Sequence, residues 1–134
     1  MKKLLTWAIT FMLIATLIGC TEQPTYTTFT LDDSDTCINI THCHCGGNEK
    51  WYVEGDDIDT FRAWLGNLNC SPVEFAKGES PSDMMGGDVY LYEFTGGTLS
   101  SLTYTYIGRD GYYLRIDGNW YHITNPSEPP FKKP

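Results

Sequence analysis

Basic side chains are scarce in this chain. Its 134 residues hold nine Lys and Arg against seventeen Asp and Glu, a formal charge of −8 with neutral histidines. Two of the nine, Lys2 and Lys3, open the sequence, so seven remain beyond Cys20. So acidic a balance repels phosphate backbones and anionic surfaces, which argues against nucleic acid as a partner. Long apolar runs are also missing. The one uncharged stretch of note, Leu4 to Gly19, is 16 residues, short of the roughly 20 needed to cross a bilayer as a helix. There is no Gly-x-Ser-x-Gly elbow, phosphate loop or dinucleotide fingerprint. The chain therefore reads as a non-enzyme. No internal repeat is visible.

What opens the chain is a targeting signal. Met1-Lys2-Lys3 is a basic start, Leu4 to Ile18 an apolar core, and Leu17-Ile18-Gly19-Cys20 has the form of a lipobox. That motif needs a branched apolar residue three before the cut, a small one before it and a Cys after. An ordinary secretory signal shares the first two regions, but Cys20 stands where lipidation requires it. Residues 1–19 are expected to be cleaved and Cys20 to become the lipid-bearing first residue. Acyl chains of the palmitate type hold by burying methylenes at about 0.8 kcal/mol each, and stable anchoring takes more than one chain. The expectation is a lipoprotein on the extracytoplasmic face of a cell membrane, anchored without spanning.

Four cysteines follow the anchor: Cys37, Cys43, Cys45 and Cys70. Export permits disulfides, and four cysteines allow three pairings that sequence does not separate. His42-Cys43-His44-Cys45 has the residue types zinc favours. Strand alternation splits it, however, with Cys43 and Cys45 on one side and His42 and His44 on the other. Cys37 shares the parity of Cys43 and Cys45, so these three form the alternative metal set. Zinc is the ion such a set would suit; otherwise no cofactor is expected. Asp32, Asp33 and Asp35 lack the EF-hand spacing and read as solvated.

Seventeen aromatic residues lie beyond Cys20, enough to build a core in a chain of this size. Residues 20–35 are polar and read as a tether, with strand-like alternation at Tyr26–Leu31. Residues 126–134 hold four prolines and read as an extended tail. One domain, 36–125, lies between. Strands are expected at Thr36–His44, Lys50–Glu54, Asp88–Thr95, Leu99–Ile107, Tyr112–Ile116 and Trp120–Thr124. Ile58, Phe61, Leu65 and Leu68 recur at helical spacing, with Trp64 beside them, so a helix is expected over about 57–69, capped by Asp56. Ser71 to Gly87 reads as a loop. The class is α+β: an antiparallel sheet of five or six strands with one helix on one face.

The last hairpins suggest a recognition surface. With Arg109-Asp110 at the tip, Ile107 pairs with Tyr112, Tyr106 with Tyr113, Thr105 with Leu114 and Tyr104 with Arg115. Asp117-Gly118 at the next tip pairs Leu114 with Tyr121, Arg115 with Trp120 and Tyr113 with His122. One face then carries Ile107, Tyr112, Leu114, Ile116, Tyr121 and Ile123 and suits the helix. The other carries Leu102, Tyr104, Tyr106, Tyr113, Arg115, Trp120 and His122, where a solvated face would be polar. Tyr104, Tyr106, Tyr113, Arg115, Trp120 and His122 are the candidate partner-binding residues, since such aromatics populate binding surfaces. Coverage by the tether, the loop or the tail is the competing explanation.

Ile40-Thr41-His42-Cys43, Gly46-Gly47, Ser80-Pro81 and the closing Trp120-Tyr121 with Asn125-Pro126-Ser127 add a resemblance. The chain resembles small uncharacterised lipoproteins of gut-dwelling Firmicutes over most of the domain. The resemblance implies the anchor and one helix with an aromatic end; it implies no activity and no site residue. A Gram-positive host would place Cys20 on the outer leaflet of the cytoplasmic membrane; in a Gram-negative host Thr21 would not block sorting to the outer membrane. The function expected is a non-catalytic recognition or accessory domain for an extracellular protein or glycan. The alternatives are a metal-binding lipoprotein and a structural envelope protein without a ligand.

Overall fold

The computed structural model describes residues 23–83, 86–108 and 111–131. The expected signal peptide (residues 1–19), the expected lipidation site Cys20 and the Arg109-Asp110 tip lie outside the described residues. Seven strands form one antiparallel sheet: β1 (Cys37–His44), β2 (Gly47–Glu54), β3 (Cys70–Val73), β4 (Asp88–Thr95), β5 (Ser101–Ile107), β6 (Gly111–Ile116) and β7 (Asn119–Ile123). Among the described residues the single α-helix, α1, spans Asp56–Gly66. This is the α+β class expected, with more strands than expected. Their order is β2-β1-β4-β5-β6-β7-β3. The connection from β2 through α1 to β3 therefore runs from one edge of the sheet to the other. Among the described residues no helix is long and apolar enough to cross a membrane.

The extra strand is β3, which pairs with β7 through Cys70↔Ile123 to Val73↔Trp120. It lies where the sequence reads as a helix end and a loop. Pro72 obscures it, because proline cannot donate to a ladder and is confined to positions such as this sheet edge. The cap also differs from expectation. Gly55, at φ 63, precedes the helix and no side chain caps it. Asp56, Asp57 and Asp59 lie instead in the first turn, where acids suit the positive end of the helix dipole.

Ile58, Phe61 and Leu65 bury the inner stripe of α1 against one sheet face. Phe61 contacts the rings of Tyr92 at 4.7 Å and Phe94 at 5.7 Å. Ile38, Ile40, Tyr92, Leu102, Leu114 and Ile123 complete a core in which each is nearly inaccessible. The segment before β1 is docked rather than free. Leu31 and Asp35 are buried, Phe29 packs edge-on against Tyr121, and Thr27 bridges to Cys70. Asp32 Oδ2 accepts hydrogen bonds from Thr98 N at 2.6 Å and Thr98 Oγ1 at 2.7 Å. Asp35 Oδ1 accepts one from Gly97 N at 2.9 Å. The tether expected over residues 20–35 is thus part of the fold from Thr27 onward.

The β5–β6 register corrects the face assignment. Ile107 pairs with Gly111, Tyr106 with Tyr112, Thr105 with Tyr113, Tyr104 with Leu114 and Thr103 with Arg115. The loop holds three residues, not four, with Gly108 and Gly111 both at positive φ. A shift of one residue moves a whole strand's side chains to the opposite face. Leu102, Tyr104 and Tyr106 therefore join Tyr112, Leu114 and Tyr121 on the helix face. The β6–β7 register agrees with expectation: Tyr113↔His122, Leu114↔Tyr121 and Arg115↔Trp120.

Candidate functional site

The six candidate binding residues are divided between two faces. Tyr113, Arg115, Trp120 and His122 share the face away from the helix. Phe75, from the segment after β3, packs on that group, edge-on to Tyr113 at 5.5 Å and to Trp120 at 6.0 Å. Arg115 lies over the Trp120 ring at 5.5 Å. Trp120 is half-buried as a result. Tyr104 and Tyr106 stand on the opposite face, among groups that α1 does not cover.

Those groups form two rows across the helix face. In the first, Glu49 pairs with His42, His42 with Tyr90, and Tyr90 with Tyr104. In the second, Asp88 pairs with Tyr106 and Tyr106 with Tyr112. His44 lies two residues beyond His42 and so on the same face. The helix packs over the neighbouring rows of Ile38 and Ile40. At the row of Tyr104 its cover ends with Trp64, whose ring lies 5.6 Å from that of Tyr104.

The chain beyond β7 closes the other side. Asn125 is pinned to the segment after α1: its Oδ1 accepts from Asn69 N at 2.5 Å, and its Nδ2 donates to Asn67 O at 2.8 Å. Ser127 O accepts from Trp64 Nε1 and from Tyr104 Oη, both at 3.4 Å. Between this segment and the sheet lies a cleft of about 260 Å³, walled by Tyr90, Tyr104, Tyr106 and Tyr112 with Asp88, Glu128 and Pro126. Residues 126–129, expected as part of a tail, are therefore a wall of the cleft.

The electrostatics are those of neutral rings beside carboxylates. Burial first, and then the hydroxyls of Tyr112 and Tyr90 and the carboxylate of Glu128, hold the Tyr104 hydroxyl well above its ordinary range. Burial, with Tyr90 and Tyr104 nearby, does the same to Tyr92. Both remain phenols at any physiological pH. The Tyr92 hydroxyl is buried without a hydrogen-bond partner among the described residues, and it lies close enough to those of Tyr90 and Tyr104 to be influenced by them. His42 stacks on Tyr90 at 4.2 Å with the rings nearly parallel, and its Nε2 meets Asp88 Oδ1 at 3.0 Å.

The metal set Cys37, Cys43 and Cys45 is not brought together. Cys37 and Cys43 are six residues apart on β1, about 20 Å at the usual strand rise, too far to share one ion or a disulfide. Cys70 lies on β3, near the opposite edge of the sheet, and all four of these cysteines are unbridged. The ligand-type cluster that does form is His42, His44 and Glu49, with one donor atom from each within 4.8 Å of the others. Alternation already places the two histidines together. Glu49 joins them because the hairpin turns at Cys45-Gly46, setting His44 opposite Gly47 and His42 opposite Glu49. Comparison with protein-family models, with curated proteins and with solved structures gives no match to this chain.

Proposed function

We propose that the chain is an exported, lipid-anchored recognition domain that takes a cationic side chain of an extracellular protein into the tyrosine cleft. The observation that carries this reading is the composition of the cleft: four tyrosines and two carboxylates around a cavity of about 260 Å³. The faces of aromatic rings attract cations, each by about 0.5–2 kcal/mol. Asp88 and Glu128 supply the formal charge. The strongly acidic balance of the domain favours the same sign of partner at longer range. The size suits a side-chain head group rather than a large ligand, being near the lower end of small-molecule pockets. The lipobox at Cys20 supports the anchoring half of the proposal, and the acyl chains would hold the cleft near a membrane surface.

The full chain is to be titrated with a short lysine-rich peptide, with an acidic peptide and a neutral oligosaccharide as controls. The lysine peptide should bind, more weakly as salt rises. Tyr112→Ala should weaken it by roughly two- to thirtyfold, the equivalent of about 0.5–2 kcal/mol, while leaving the fold intact. Preference for the neutral oligosaccharide, or indifference to Tyr112→Ala, would contradict the reading. For the anchor, Cys20→Ala should abolish acyl labelling and membrane retention; retention with normal labelling would refute it.

A further inference from the structure

We infer that the β1–β2 hairpin carries a divalent-metal site made by His42, His44 and Glu49, suited to a borderline transition ion of the zinc type. This goes beyond the cleft reading and does not rest on it. The donors come from a cross-strand pair and its neighbour: Glu49 opposite His42, and His44 two residues further along the same face. One ligand atom from each lies within 4.8 Å of the others. Donors around a tetrahedral ion at about 2.0–2.1 Å sit roughly 3.3 Å apart, so small side-chain rotations close the set. Two imidazoles and one carboxylate match zinc and its neighbours, whereas calcium and magnesium take oxygen ligands. Three protein donors leave a fourth position for water or another ligand.

The surroundings hold the donors as metal sites commonly do. Asp88 lies 3.0 Å from His42 Nε2. When that nitrogen donates to the carboxylate, Nδ1 keeps its lone pair, the carboxylate–histidine arrangement that orients a ligand ring and raises its basicity. The stack on Tyr90 fixes the ring plane. His44 is held by the turn: Gly46 N donates to its Nδ1 at 3.0 Å. A neutral ring that accepts there carries its proton on Nε2. Capture of an ion by His44 ends this bond by either route: the ion takes Nδ1, or the proton moves to Nδ1, which then no longer accepts, and leaves Nε2 for the ion.

The test uses the full chain, stripped with chelator and then titrated with Zn²⁺ by calorimetry and with Co²⁺ by absorption. One equivalent should bind, and the cobalt form should show visible ligand-field bands without the near-ultraviolet band of a thiolate ligand. His44→Gln should weaken binding by more than about tenfold, the lower end of what even an outer-shell change costs. Asp88→Asn should weaken it by about 10–100-fold with the cobalt spectrum retained. Cys43→Ser, Cys45→Ser and Tyr112→Ala should leave it unaltered. If His44→Gln does not fold, Asp88→Asn carries the test. Absence of stoichiometric uptake, a thiolate band lost in Cys43→Ser, or an affinity indifferent to Asp88→Asn would overturn the site.

Discussion

Leu65 is wholly inaccessible on the inner stripe of α1. Truncation to Ala removes its transfer free energy and leaves a cavity, so Leu65→Ala should cost about 2–5 kcal/mol in denaturant unfolding. A loss within about 0.5 kcal/mol, as at a free surface, would show that the helix does not pack as described. The cysteines offer a sharper contrast. Burial pushes the Cys70 thiol up to about 11, while Cys45 is exposed in the hairpin turn. Alkylation of the native protein at pH 8 should mark Cys45 and spare Cys70 until the chain is unfolded, as read by peptide mass. The raised value has a consequence for stability. A thiol whose folded pKa exceeds its unfolded one contributes fully below the unfolded value and loses that contribution as pH rises through the folded one. The window for Cys70 therefore runs from 9.0 to about 11. Thermal stability should fall across it, and Cys70→Ala should flatten that part of the fall.

At the scale of elements, two hairpins with similar signals had different fates. Asp117-Gly118 marks a two-residue turn, and the β6–β7 register follows from it. Around Arg109-Asp110, flanking glycines at 108 and 111 allow a loop of either three or four residues. The choice decides which face every β5 side chain takes, and alternation cannot make it, because β5 carries apolar or aromatic groups on both parities. Leu102 and Tyr104 lie on one face, while Ile107 and the buried Thr105 lie on the other. The segment before β1 was opaque for a related reason. Its acids look solvated in sequence, and only the fold brings the turn amides of Gly97 and Thr98 to Asp35 and Asp32. Those bonds from Thr98 hold the Asp32 carboxyl below its ordinary value of 3.8. A depressed folded pKa contributes above the unfolded value and is lost as pH falls through the folded one. Acidification below about pH 4 should therefore loosen residues 27–35 first. Hydrogen exchange at Thr98 N should report it, and Asp32→Asn should remove that pH dependence.

For the molecule as a whole, composition and periodicity made the class legible: one helix of period 3.6 among alternating strands. They left open what lies on either side of the sheet. In sequence the face away from the helix reads as the functional surface, because it is too aromatic for solvent. The structure covers part of it with Phe75. On the helix face, α1 spans too little of the sheet to bury the outer rows, and the residues beyond β7 wall the remainder into a cleft. Of the candidate residues, Tyr104 and Tyr106 line that cleft; Tyr90, Tyr112 and Asp88 join them through pairings that only the register reveals, and Glu128 from the segment after β7. The measurement that tests this account most directly is the titration of the full chain with tetramethylammonium, followed by NMR of its aromatic side chains. The account predicts saturable shifts in the rings of Tyr104, Tyr106 and Tyr112, with the Trp120 indole and the Tyr113 ring unmoved. Shifts confined to Trp120 and Tyr113, or no saturable shift in any ring, would contradict it.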